Sequence, residues 1–470
     1  MKNYKIAWRN LWRNKRRTLI TVASVFFAVF FALVMRSVQL GSYDHMFRNV
    51  IESYTGYLQI QHEDFWDSRI IDDVFEYNRE LEQLLLDDEN VDAVVPRFES
   101  FALASIGKLT KGVLVMGIDP EQENHFSDVN GKLVKYRFTD EAILKLKESE
   151  LPAAIKDKLD LFKGSSYSGD GLLQAEMGIK SKEADKLMTP FREYASFPNG
   201  YIAAGEQEAL IGDRLSGFLE LNIGDTIVLI GQGYHATTAA AKFRISGIVK
   251  MPTPDLDNMI VYLPYDVCQE FYNAPGMVTS VAIDIVDNDE KALEATISRI
   301  AAKLPPPLRV VDWREMNEVL INQMDADNKS GMIMIAILYL VIAFGIFGTV
   351  LMMTAERKRE FGMVVAIGMQ KTKLSAVVVV EMFYVGLMGI IAGIVASIPV
   401  IIIGYYHPIR FSGEMAKMWE DYGIEPVMPF MPVDWYFMWQ TVVVAIILLI
   451  AVSYPVNKVL RLNTANALKA

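Results

Sequence analysis

The sequence predicts a membrane α-helical fold of four transmembrane helices, with a large α/β domain inserted between the first and the second. Three observations predict it. Of 470 residues, 52% are hydrophobic, yet 22% are charged, and mean hydropathy is +0.21; that combination joins a large water-exposed part to a few spans. Four apolar runs are each long enough to cross a bilayer as a helix, which takes about 20 residues. Between the first two runs, residues 41–330 alternate strand-like and helical patterns.

Composition also excludes function classes. A net charge of −11 argues against nucleic acid as a partner. The single cysteine, Cys268, permits no internal disulfide. No G-x-x-x-x-G-K-[ST], H-E-x-x-H or G-x-S-x-G motif occurs, and His45, His62, His125, His235 and His407 are scattered. The chain is therefore expected not to be a catalyst, with no cofactor and no metal of its own.

Residues 1–17 are basic and aromatic, with Lys2, Lys5, Arg9, Arg13, Lys15, Arg16 and Arg17 beside Trp8 and Trp12. Two readings stand: an amphipathic helix lying on the membrane surface, or a plain cytoplasmic anchor. Residues 18–40 form the first span; their apolar part is too long for a signal peptide and no cleavage site follows.

Residues 41–330 are expected outside the cytoplasm. Strands are predicted at 57–61, 91–96, 113–118, 226–230, 242–249, 258–263, 278–286 and 308–311, and helices at 79–86, 207–219 and 290–303. Asp119 and Pro120 favour a turn. Residues 126–199 are charged, with helical stretches at 141–161 and 172–187, and read as an inserted subdomain. The Gly/Ser-rich FKGSSYSGDG between them lacks the lysine of a phosphate-binding loop and reads as a surface turn. Asp255 and Asp257 have no further ligand at metal spacing. Residues 312–330 have helical spacing and no proline, so the helix is expected to run straight into the second span, residues 331–354.

Residues 355–373, AERKREFGMVVAIGMQKTK, separate the second span from the third. A charge cluster at 356–360 precedes Phe361, Val364, Val365 and Gly368, the i, i+3, i+4, i+7 spacing of one helix face. Gly368 suits a helix stop. The basic residues place this loop on the cytoplasmic side. It serves either as a topology signal or as a docking helix that receives force from a soluble partner.

The third span, 374–405, carries Glu381, a costly group in hydrocarbon; a structural contact, a snorkelling position and proton transfer all remain open. Gly386, Gly389 and Gly393 follow, and the Gly389–Gly393 spacing permits close helix packing. Residues 406–434 form an acidic outer loop, 435–456 the fourth span, entered through Trp435, Tyr436 and Trp439, and 457–470 a cytoplasmic tail. This puts both termini inside and the chain in the inner (plasma) membrane.

The order of these residues resembles the FtsX-like permeases, the family of the MacB-type and lipoprotein-releasing (LolC/LolE) ABC transporters. Their loop reads roughly E-R-x-x-E-I-G-x-x-R-A-[IL]-G, matched here at Glu356, Arg357, Glu360, Gly362, Ala366 and Gly368; Val365 stands where a basic residue is usual. Ala7, Arg9, Asn10, Leu11, Arg13, Asn14, Lys15, Arg17 and Thr18 resemble the family's opening. KGVLVMGIDPEQE, LIGDRLSGFLELNIGDTIVLI and FRISGIVKMPTPDLDNMIVYLP resemble segments of its outer domain, and Trp313 with Asn317 a helix leading into the membrane. YPVNKVLRLNTANALKA resembles its ending, with Thr464 for the usual proline. The resemblance implies a permease subunit that couples ATP hydrolysis by a separate ABC ATPase to movement of a periplasmic domain, for lipoprotein release or export. It implies an ATPase interface at Glu356, Arg357, Arg359, Glu360, Phe361, Gly362, Ala366 and Gly368, ATP and Mg only through that partner, and a second permease subunit, identical or related. Membrane lipid and a lipoprotein cargo or periplasmic acceptor are the further partners expected. The alternative is an FtsX-type scaffold that relays force to periplasmic proteins and moves no cargo.

Overall fold

The computed structural model describes residues 3–13, 15–421 and 424–461. The chain divides into two compact units, Met1–His45 with Asn322–Ile409 and Met428–Ala470, and Met46–Ile321 with Arg410–Val427.

The first unit is helical: α1 (Asn3–Arg13), α2 (Lys15–Val50), α3 (Glu318–Glu356), α4 (Lys358–Ala366), α5 (Lys371–Tyr406) and α6 (Tyr436–Leu460). Among the described residues, four helices are long and apolar enough to cross a membrane: α2 with the turn that follows it, α3, α5 and α6. The bundle core joins Val25, Val29 and Leu33 of α2 to Ile346 and Val350 of α3, Met382 and Ile401 of α5, and Val444 and Leu448 of α6. Outward, Phe344, Val395 and Leu449 are more than 60% exposed, the apolar exterior that a lipid-facing surface needs. Glycines let α5 close on its neighbours. A Cβ on Gly389 would stand 2.5 Å from that of Val25, and one on Gly393 2.8 Å from that of Val29, both on α2; at Gly386 it would run into Leu448 of α6.

The second unit is built on a nine-stranded sheet of β1 (Leu58–His62), β2 (Val91–Ile106), β3 (Leu109–Ile118), β4 (Glu208–Gly212), β5 (Thr226–Gln232), β6 (Thr238–Val249), β7 (Ile260–Pro264), β8 (Ser280–Ile285) and β9 (Leu308–Asp312). Their order is β9-β1-β8-β2-β3-β7-β4-β6-β5, and β5 pairs back onto β2. Six strands thus close a ring. Its inward residues, among them Phe98, Val115, Ile211, Leu229, Phe243 and Leu263, form one core. The β3–β7 and β4–β6 pairs are parallel. The open wing, β9-β1-β8 with the first half of β2, packs on Leu81 and Leu85 and on Leu293 and Ile300, from the helices Arg79–Leu86 and Glu290–Ala301. Residues 136–195 hold a separate buried cluster around Phe138, Leu146, Phe162 and Phe191.

Several local expectations are corrected. Residues 207–219 are not one helix: Ala209, Leu210 and Ile211 are fully buried strand residues, and only Asp213–Leu219 is helical. A helix-like spacing there is overridden by burial on both faces, since a short apolar run does not distinguish the two. The helix expected over 141–161 stops at Glu148, ahead of Pro152; that over 172–187 is cut at Gly178, whose φ of +70° ends it. Strand 278–286 is divided at Thr279, whose hydroxyl accepts from Glu99 N. Asp119 does more than start a turn: its carboxylate accepts from Glu121 N and Gln122 N, each at 3.0 Å, and caps the helix Pro120–Ser127. The helix into the second span is broken at Asn317, with φ −115° and ψ 29°, where the side-chain amide donates to Trp313 O at 2.8 Å. The chain ending compared above lies partly outside the described residues, from residue 462 onward.

Candidate functional site

The 355–373 loop folds into a short helix held from one side. α3 ends at Glu356, Arg357 leaves helical geometry at φ −91° and ψ 2°, and α4 begins one residue later. At its far end Gly368 takes φ +107°, a conformation that a Cβ disfavours. Gly368 N then donates to Val365 O at 3.0 Å and Met369 N to Val364 O at 3.2 Å, which closes the helix by the left-handed stop that the sequence suggests.

One face of α4 is anchored. Phe361 is 4% exposed and packs with Leu374 and Val378 of α5 and Val459 of α6. Gly362 beside it is buried. Arg357 reaches Glu381, which is 1% exposed and lies in the first third of α5. One guanidinium nitrogen bonds Oε2, and the other stands 3.3 Å from Oε1. Asn10 of α1 donates to the same Oε1 at 2.7 Å. Arg357 also lies 3.5 Å from the Glu360 carboxylate and 5.0 Å from the centre of the Phe361 ring. Arg13 of α1 pairs with Glu360 from the other side. A cavity of about 20 Å³ lies among Asn10, Leu11, Thr18, Met353, Arg357 and Glu381.

The geometry answers what Glu381 does. A carboxylate removed from water is costly unless paired and hydrogen-bonded, and here a guanidinium and an amide supply both. It ties the start of α4 to α5 and α1.

The other face of α4 is free of the bundle. Arg359, Met363, Ala366, Ile367 and Gly368 are exposed, with Ile367 at 87%. The residues named from sequence therefore divide. Glu356, Arg359, Ala366 and Gly368 are outward; Arg357, Phe361 and Gly362 are inward; Glu360 is half-buried. Met363 and Ile367 escaped the sequence reading. Counting four from Arg359, and four again, would have found them, because i, i+4 positions share a face. Asn10 and Arg13 were legible only as part of a basic amphipathic segment, not as partners of this loop.

Elsewhere, Asp257 is fully buried and accepts from Asp213 N, Arg214 N and Met251 N at 2.9–3.1 Å, a structural role at a helix start. Asp255 does not join it in any ion cluster found among the described residues. Asp92, His125 and Asp284 bring ligand-type atoms within 4.8 Å of one another, a surface grouping that sequence spacing could not show and to which we assign no metal.

Residues 332–464 match the FtsX-like permease C-terminal family model. The chain is 21% identical over 202 residues to the lipoprotein-releasing system transmembrane protein LolC of Xylella fastidiosa strain Temecula1, covering 42% of this chain and 48% of that protein. It is 20% identical over 242 residues to LolC of strain 9a5c, covering 49% and 58%. An uncharacterized ABC transporter permease of Methanocaldococcus jannaschii is 27% identical over 188 residues, covering 38% and 43%. The chain thus spans about half the length of the curated relatives it matches. Among solved structures, the periplasmic region of MacB from Actinobacillus actinomycetemcomitans is similar with a TM-score of 0.31 at 13% identity, over 58% of this chain and 95% of that one.

Proposed function

From the premise that this multi-pass membrane protein is a permease of the FtsX/MacB type, with an FtsX-like C-terminal region at 332–464, we propose that α4 is the docking element for a separate ABC ATPase. The observation that carries the reading is the division of α4 into a locked face and a free one. A docking helix must present side chains to its partner and yet pass force on without yielding. Arg359, Met363 and Ile367 present the first face. Phe361 and the Arg357–Glu381 bond fix the second to α5 and α6. A push on α4 then moves the helices it is fixed to as rigid bodies.

In this reading α4 and both termini are cytoplasmic and the α/β domain is periplasmic, in keeping with the basic residues around α1 and α4. α3 is a continuous helix of 39 residues, about 58 Å long at ~1.5 Å per residue. Four spans enclose little by themselves, so two permease subunits stand together, identical or related. ATP and Mg enter only through the partner. The cargo is a lipoprotein or another amphiphile, released or exported by movement of the periplasmic domain.

The test is co-purification of the full chain with a P-loop ATPase and measurement of turnover in the complex. The reading expects an ATPase whose turnover depends on the permease, with I367E and M363E each abolishing the dependence while leaving the permease's melting point unchanged. A complex that forms and turns over equally well with I367E would sink it.

A further inference from the structure

α1 carries two exposed rows. Tyr4, Trp8 and Trp12 are each about 45% exposed and recur every four residues, so they line one stripe of the helix. Lys5, Arg9 and Arg13 form the adjacent stripe, also exposed. Lys15 and Arg16 extend the basic row into the start of α2. No Asp or Glu occurs anywhere in residues 1–17. The opposite face is committed to the bundle: Ala7 and Leu11 are buried and Asn10 holds Glu381, while Trp8, at the edge of the exposed stripe, also meets Tyr384 of α5 edge-on at 5.6 Å.

We propose that α1 is a binding surface for anionic phospholipid headgroups, and that its occupancy is passed to α4. Three observations argue for that occupant. The exposed charge is of one sign, complementary to phosphate. Aromatic side chains beside it suit the boundary between headgroups and acyl chains. The helix ends within a few residues of the first span, so its exposed face lies at the membrane surface. Transmission follows from Arg13, which belongs to the basic row and also pairs with Glu360 of α4, both side chains being 41–55% exposed. An exposed pair is weak and easily screened. Headgroup phosphates therefore compete with Glu360 for Arg13. The lipid half stands on α1 alone; the transmission half rests on α4 as the ATPase dock.

The experiment uses the full chain in phosphatidylcholine vesicles holding a minority of brominated lipid, either phosphatidylglycerol or phosphatidylcholine. The readout is the tryptophan quenching that disappears in the W8F/W12F variant. Brominated phosphatidylglycerol is expected to quench more than brominated phosphatidylcholine at equal fraction. K5Q and R9Q are each expected to reduce that preference about fivefold, the effect of one cation at a membrane surface. Equal quenching by the two lipids overturns the lipid half. For the transmission half, turnover of the ATPase complex is compared with and without phosphatidylglycerol. A shift in the wild type that is lost in R13Q supports it. Preferential quenching with no shift in turnover overturns it. Turnover independent of the permease in both lipids counts against the docking reading and leaves the lipid half standing.

Discussion

Arg357 and Glu381, 24 positions apart with α4 between them, form a largely buried ion pair, their side chains 13% and 1% exposed, that joins the start of α4 to α5. Its value lies less in net stability than in what its loss would expose. Removing one partner of such a pair leaves an uncompensated buried charge, at a cost of about 3–5 kcal/mol. R357A and E381A are each expected to lower the melting temperature of the detergent-solubilised chain by a large amount. The double variant R357M/E381L should recover much of the loss. Single variants that melt like the wild type would show that the pair is not formed.

The glycines of α5 make a second prediction. At Gly389 and Gly393 a Cβ would press on Val25 and Val29 and on backbone oxygens of α2 at 3.0 Å. Overpacking of this kind costs about 1–3 kcal/mol, enough to outweigh the roughly 1 kcal/mol that alanine gains over glycine in a helix. G389A and G393A should therefore lower the melting point, whereas G345A, which meets nothing within 4 Å, should hold or raise it. The reverse ranking would contradict the close α2–α5 approach.

Much of this was legible in sequence, and the reasons differ by element. The four spans announce themselves by length and apolarity, which no tertiary contact need supply. Helix Arg79–Leu86 falls where periodicity puts it. Burial on both faces hid the strand at Glu208–Gly212, because such a strand has no polar alternation to read. The α4 stop at Gly368 was readable from glycine's tolerance of positive φ. The partners of Glu381 were not, since Asn10 lies 371 positions away from it and only packing of α1 on α5 brings the two together. Glu381 could be flagged as costly, but its solution is a matter of geometry.

Asp257 predicts a pH response in the α/β domain. Burial, the largest cause, raises its carboxyl from 3.8 to about 6, with Lys250 opposing and Asp213 adding to the rise. Between those values the folded chain binds a proton that the unfolded chain has released. Stability contributed at this site is thus highest below about 4 and falls as pH rises through 6. D257N should remove that component, so the melting temperature of the variant changes less between pH 4 and 6 than that of the wild type. An identical slope in both would place the titration elsewhere.

The account depends most on the α/β domain and α4 lying on opposite sides of a membrane. The only native cysteine, Cys268, is fully buried, so single cysteines placed at Ile367 of α4 and at Val286 of the α/β domain, 87% and 71% exposed, can be labelled with little background. In intact cells or sealed right-side-out vesicles, a membrane-impermeant maleimide should label V286C and spare I367C until the membrane is opened. Labelling of both, or of neither, before the membrane is opened would contradict the account, because α4 would then have no far side to act upon.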